Sequence, residues 1–400
     1  MFVQHVHEVA IPSVVDLDWA AVSYTERQAK LTRILRREDL RPFSDADSCR
    51  LRALFIKTGP QEALLVVIVD HVTFDGFSAS LVLQGLKEAL TAQSASDRRA
   101  PRAGIGMPAF AMWQKWALQT SYFRGSVAFW RDQWARFARY RIAHEDLPFG
   151  LMASPEPDRT FASEDALLGA TEAAALRALA QQSRTTIFVI CLAALARVLS
   201  AYTDRSVVAI WSHFLNRVQP GTMCAVGWFN NTHLLGFELP RNVTGRKLIE
   251  HVNRVVSNAQ VHQEMPLQHL WNTLKCIPRF PEPRVLMDFR SRPARLTGDG
   301  SSRLSVENAT LPTPTTPRFS DLGFYITDNF DSIQIEATFW RARFSRSGVI
   351  EILTELKNAI LGLVEDPDAV LINHSTPERE AYAKMSEFLL FDGACIPRVE

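Results

Sequence analysis

Four hundred residues, 47% hydrophobic and 22% charged, suffice for two domains or one large pseudo-symmetric unit with a substantial core. A formal net charge of +1 excludes a global electrostatic drive towards nucleic acid, and 24 Phe with 9 Trp exclude a disordered chain. The five cysteines (Cys49, Cys191, Cys224, Cys276, Cys395) are odd in number and lack CxxC spacing, which argues against a disulfide framework or zinc site.

In chain order, Val9 to Asp16 reads as a short extended piece. "SYTERQAKLTRILRRED" follows as an amphipathic helix with Leu31, Ile34 and Leu35 on one side. "SCRLRALFIKTG" and "EALLVVIVD" read as two strands joined by a "TGPQ" turn. "FSASLVLQGLKEALTAQ" is a helix with Leu81, Leu83, Leu86 and Leu90 as its apolar stripe. A loop over "QSASDRRAPRAGIGMP" leads to two aromatic-rich helices, "FAMWQKWALQT" and "GSVAFWRDQWARFARY". "HEDLPFGLMASPEPDRTF", with three prolines and no periodicity, reads as the linker between two halves, 1–150 and 151–400.

The second half opens with helices at "TEAAALRALAQQS" and "TTIFVICLAALARVLSAYT". "SVVAIWSHF" is a buried-strand pattern, and "GWFNNTHLLGFEL" is a turn running into a strand. "TGRKLIEHVNRVVSNAQVHQ" is a helix that stops before Pro266. A Gly-, Ser-, Thr- and Pro-rich stretch from Leu296 to Ser320 reads as a surface loop. "LGFYITDNFDSIQIEATFW" gives two strands, and "GVIEILTELKNAILGLVED" is the last long helix. Strands and helices are mixed in both halves, so the expected class is α/β or α+β with mixed sheets. No run is long enough to span a membrane, and the N-terminus does not read as a signal peptide, so a reducing cytoplasm is the expected setting.

The chemistry concentrates in "VVIVDHVTFDGFS", Val66 to Ser78. An apolar strand stops at Asp70-His71, and Asp75-Gly76 follows just before a helix. A histidine mounted at a strand end suits a general base or a hydrogen-bonding positioner. A poorly solvated Asp75 needs a cation or amide partner, and Gly76 suggests a tight turn with unusual dihedrals. Taken alone, HxxxDG is a short pattern that reads first as a satisfied turn histidine at His71 and a helix cap at Asp75.

This loop resembles the HHxxxDG motif of the condensation-domain superfamily of nonribosomal peptide synthetases, which is related to chloramphenicol acetyltransferase. Further segments are similar to the family's in the same order: "RPFSDADSCRLRALF", "FAMWQKWALQ…VAFWRDQW", "TTIFVICLAALARVLSAYT", "SHFLNR", "VGWFNNT" and "HQEMPLQHL". Together they run from about Asp16 to about Pro367. The resemblance implies two chloramphenicol-acetyltransferase-like lobes with a tunnel between them, and a substrate carried on the phosphopantetheine of an acyl or peptidyl carrier protein. It implies no bound cofactor, no metal site, no nucleic-acid partner and no membrane. His71 falls on the family's catalytic histidine. Asp75 falls on a structural aspartate that pairs with the arginine of the "GR" segment, here Arg217, and Gly76 on the glycine that keeps the tunnel open. Asn231 and Ser78 are candidate substrate contacts, although Asn231 reads equally as a turn residue. His262, in the "HQ…P" segment, reads as a structural contact rather than a second base.

The chain departs from the pattern in two ways. Asp70 replaces the motif's leading histidine. An acid there could bias or orient His71, although strand alternation points it away from the tunnel. Asp70, Asp75 and Ser78 also satisfy the DxxxxDxxS signature of heterocyclization domains, but His71 and the lack of their second signature near Pro283 to Arg290 favour the condensation reading. Secondly, the motif stands closer to the N-terminus than in the family, so the N-terminal lobe is expected to lack its opening strand and helix. The resemblance therefore implies an acyltransferase forming an amide or ester with a small-molecule acceptor. A non-catalytic recruiting module and a coenzyme A-dependent acyltransferase using the basic "SDRRAPR" loop are the alternatives.

Overall fold

The computed structural model describes residues 11–39, 41–44, 49–91, 104–142, 146–147, 160–240, 242–274, 285–291, 296–297, 303–304, 320–329 and 331–371. The "SDRRAPR" loop and most of the expected linker lie outside them.

By contacts the chain forms two compact units. The first comprises Met1–Tyr122, Leu215–Asn230 and Pro293–Pro312. It opens with strand β1 (Ser13–Asp18), helix α1 (Tyr24–Asp39) and the hairpin β2 (Leu51–Gly59) and β3 (Glu62–Val69). The sheet order is β1-β2-β3, with β1 parallel and β3 antiparallel to β2. Strand alternation sends Leu17, Leu54, Ile56, Val66 and Ile68 to one face, where Leu31 and Ile34 of α1 and Trp19 pack on them. The buried Glu38 near the end of α1 pairs with Arg52 of β2 at 3.4 Å. Helix α2 (Gly76–Thr91) and helix α3 (Met107–Gln119) follow.

The second unit comprises Phe123–Phe214, Asn231–Arg292 and Thr313–Glu400. This division falls elsewhere than the expected boundary at residue 150. Helix α4 (Arg124–Phe137) goes with the second unit because it buries Trp134 against Trp211 and Trp130 against His233. After α4 come β4 (Phe161–Leu168), α5 (Ala170–Gln182), α6 (Ile187–Thr203), β5 (Val207–Phe214), β6 (Asn231–Glu238) and β7 (Val243–Thr244). Helices α7 (Gly245–Val261) and α8 (Leu267–Thr273) lead to β8 (Val285–Ser291). The short strands β9 (Leu296–Thr297) and β10 (Arg303–Leu304) pair antiparallel and fall in the first unit. The chain then continues in the second with β11 (Leu322–Asp328), β12 (Ile333–Trp340), α9 (Arg346–Glu365) and β13 (Val370–Leu371).

The main sheet of this unit has six strands in the order β4-β12-β11-β8-β5-β6, parallel at β11-β8 and β8-β5 and antiparallel elsewhere. Helix α6 is almost entirely buried, from Val189 to Ser200, which explains its apolar character all round. No single helix among the described residues is long and apolar enough to cross a membrane. Strand β5 ends at Phe214 and β6 begins opposite it at Asn231. The 16 residues between them belong to the first unit.

Candidate active site

Strand β3 delivers the chain to Asp70. The Asp70 carboxylate caps a single 3-10 turn, His71–Thr73, by accepting from the Val72 amide at 3.2 Å. Its other oxygen accepts from Arg50 Nη1 at 3.2 Å, and Thr73 donates its amide and hydroxyl to the Asp70 carbonyl. Asp70 is therefore a loop anchor, and none of its described bonds goes to His71. His71 itself is solvent-exposed, and its ring lies 5.3 Å from that of Trp228, tilted by 46°.

Four residues further on, Asp75 is buried at the start of α2. It accepts from the Ser78 amide at 2.8 Å, which is a helix N-cap bond. Arg217 Nη2 reaches its two oxygens at 2.7 and 2.9 Å, and the Phe229 amide donates to Oδ2 at 3.1 Å. The Arg217 Nη1 group donates to the carbonyls of Thr222 and Ala225, at 2.5 and 2.6 Å. The guanidinium lies against the rings of Phe77 and Phe229, with ring centroids 4.7 and 4.3 Å away. A buried arginine is tolerable here because most of its donors and its charge are matched.

Ser78 completes the cluster. Its hydroxyl accepts from the Gly227 amide at 3.0 Å and from Arg217 Nη2 at 2.9 Å. It lies within donating distance of Asp75 Oδ1 and the Gly227 carbonyl. The expected substrate contact at Ser78 is corrected on this ground: the side chain is fully buried and saturated with internal bonds.

The reading of Gly76 is also corrected. It is the first residue of α2, and its φ is not in the left-handed region, so no unusual dihedral calls for glycine. A Cβ there would meet nothing within 4 Å, so no close approach calls for glycine either.

The segment 215–230 is fixed from a second side. Ile105 donates to the Gly221 carbonyl at 3.2 Å, and Gly221 has φ +80°, which favours glycine. Gly227 approaches Met107 so closely that a Cβ would stand 2.5 Å from its sulfur. Asn216 Nδ2 donates to the Phe229 carbonyl at 2.7 Å. The loop carrying His71 and the loop carrying Trp228 are thus locked together by bonds among buried groups.

Asn231 is the first residue of β6 and belongs to the second unit. Its Nδ2 donates to the carbonyls of Gln263 and Met265, at 2.8 and 3.3 Å. His262 caps α7, and its Nδ1 lies 3.0 Å from the Ser126 hydroxyl; burial pushes its pKa down. Sequence reasoning missed His233, fully buried two residues after Asn231 and stacked on Trp130 at 4.0 Å. Burial pushes its pKa down to about 3, opposed in part by the backbone of Gln263 and Met265. Its only sequence signal is a histidine directly before the apolar run Leu234 to Phe237 of a strand.

No group of three or more His, Cys, Asp or Glu side chains among the described residues could hold a metal ion. The free Cys191 is buried, and burial pushes its thiol up to about 12.

A family model described as Condensation domain matches residues 1–386. Among curated relatives, phosphinothricin tripeptide synthetase PhsC of Streptomyces viridochromogenes is 27% identical over 67% of this chain and 24% of its own length. Cyclosporin synthetase simA of Tolypocladium inflatum is 23% identical over 91% of this chain and 2% of its own length. The chain thus spans a minor part of these relatives. The condensation domain of the monacolin K polyketide synthase MokA superposes with a TM-score of 0.73 at 16% identity, covering 89% of this chain and 80% of that one. The X-domain from teicoplanin biosynthesis also gives 0.73, at 19% identity, with 92% and 82% covered. These likenesses establish the fold class, mixed α/β of the chloramphenicol-acetyltransferase-like type expected from the motifs. By its match over nearly its whole length, the chain belongs to the condensation-domain family.

Proposed function

We propose that the protein is a condensation-type acyltransferase of nonribosomal peptide or polyketide biosynthesis. It joins an acyl thioester on a carrier protein to an amine or alcohol, giving an amide or ester. The observation that carries this reading is His71, exposed on a short turn whose two ends are fixed by Asp70 with Arg50 and by Asp75 with Arg217. An imidazole so presented takes the acceptor's proton as its nitrogen or oxygen adds to the thioester carbonyl. The new C–N or C–O bond forms, the C–S bond breaks, and the phosphopantetheine thiol leaves with the proton returned by His71. No acyl-enzyme and no resident metal or cofactor takes part; phosphopantetheine belongs to the substrate.

The three residues of the heterocyclization pattern support loop geometry instead, since Asp70 caps a turn while Asp75 and Ser78 are sealed in the buried cluster. The test is intact-mass analysis of a surrogate carrier protein loaded with a simple acyl-phosphopantetheine, offered amines, alcohols and cysteine. The expected result is loss of the acyl group with an open-chain product, dependent on His71. A product lighter by one further water with cysteine would favour cyclization. No transfer to any acceptor by a folded, carrier-binding protein would replace this reading with a recruiting module.

A further inference from the structure

Trp228 is a large aromatic side chain left 45% exposed beside His71. Its place is not a by-product of loose structure, because both flanking residues are pinned. Gly227 bonds to the Ser78 hydroxyl through its amide and carbonyl, and Phe229 donates to Asp75 while accepting from Asn216. The backbone of Trp228 is therefore held beside the histidine turn from both sides. The same segment leaves Leu215, Val218, Met223 and Val226 exposed, and Val72 beside the histidine is 68% exposed. Two large apolar side chains, Trp228 and Val72, standing exposed at an acid–base group mark a place where an apolar ligand is gathered.

We infer that Trp228 is a specificity-determining residue, forming an apolar wall that receives the aromatic or aliphatic group attached next to the reacting atoms at His71. This deepens the acyltransferase reading and rests on it. The apolar group could belong to the acyl donor or to the acceptor, and the two are separable. Short polar partners would gain nothing from the indole, whereas octanoyl or phenylacetyl groups, or phenylalanine-like acceptors, would bury area on it.

The test compares wild type, Trp228→Ala and Trp228→Phe in two arms. One varies the donor on the carrier (octanoyl and phenylacetyl against acetyl) with one acceptor. The other varies the acceptor (phenylalanine amide against glycine amide) with one donor. The expected result is that Trp228→Ala lowers the apolar-over-small ratio of kcat/KM by about tenfold in at least one arm, while Trp228→Phe keeps most of it. An unchanged ratio in both arms would overturn the inference while leaving His71-dependent transfer standing. Calorimetric binding of octanoyl- and acetyl-pantetheine is measured alongside. If no transfer occurs with any pair, the acyltransferase reading fails. Tighter octanoyl binding, lost in Trp228→Ala, would still uphold the apolar wall, and equal binding would overturn that as well.

Discussion

Asp75 and Arg217 are 142 residues apart in sequence and meet at 2.7 Å with both side chains completely sealed from solvent. Water can replace neither partner, so the cost of breaking the pair is the cost of stranding a buried charge. We expect Arg217→Ala to destabilise the protein by about 3–5 kcal/mol, read from urea unfolding. Lysine should rescue little, because it cannot serve Asp75 and two backbone carbonyls together. A loss under about 0.5 kcal/mol, the scale of an ordinary surface substitution, would show that the cluster does not hold the loop.

His71 is exposed and its described ring contact is with the half-exposed Trp228, so His71→Ala should leave the unfolding midpoint nearly unchanged while lowering acyl transfer by about 10²–10⁴-fold. An alcohol needs more help in losing its proton than an amine does. Ester formation should therefore suffer more than amide formation, measured with matched acceptors on one donor. Equal losses would argue that His71 positions the acceptor and does not remove its proton.

Asp70 stands where the family has a histidine, yet its carboxylate is occupied by Arg50 and the Val72 amide. Asp70→Asn keeps the turn cap and gives up a partly exposed ion pair, so it should cost no more than about 1 kcal/mol. Transfer activity of Asp70→Asn should stay within about tenfold of wild type, since no described bond links Asp70 to the histidine. A loss as deep as that of His71→Ala would give Asp70 a direct part in the chemistry.

His233 predicts the response to acid. Its folded pKa of about 3 lies below the unfolded value near 6.5, so the unfolded state takes up the proton first. Its neutral form is fully compatible with the fold above pH 6.5, and stability falls as pH drops from there towards 3. The slope from this group is about 1.4 kcal/mol per pH unit. His262 adds loss of the same sign as pH falls. Unfolding midpoints measured from pH 7.5 to pH 4.5 should decline steeply, and His233→Gln should flatten the decline. A parallel decline in that variant would assign the acid sensitivity elsewhere.

Much of this is legible in the sequence, and the gaps have physical causes. The strand–turn–helix around His71 follows from an apolar run ending at Asp70 and a helix stripe beginning after Gly76. Helices α6, α7 and α9 announce themselves by period and length. Strand β4 escapes a reading of the residues because "FASEDALL" carries Glu164 and Asp165, which an edge strand tolerates and a buried-strand pattern forbids. Strand β8, at the middle of the sheet, escapes it because Asp288 and Arg290 interrupt its apolar run. The meeting of Asp75 with Arg217 is expected only through family resemblance, since nothing local in either segment names its partner. Ser78 is a candidate substrate contact by its place in the motif loop, and only three-dimensional packing reveals that it is enclosed.

The segment between β5 and β6 also bears on how the gene can be divided. Strands β5 and β6 pair across a connection that leaves their own unit to finish the other one. During synthesis the first 122 residues emerge with Asp75 awaiting an arginine not yet made, so the histidine turn cannot reach its final rigidity until residue 230 has left the ribosome. A domain exchange that cuts the chain at residue 150 would graft one protein's Asp75 onto another's Arg217 loop. Recombinants should therefore be designed to carry 70–78 and 215–230 from the same parent.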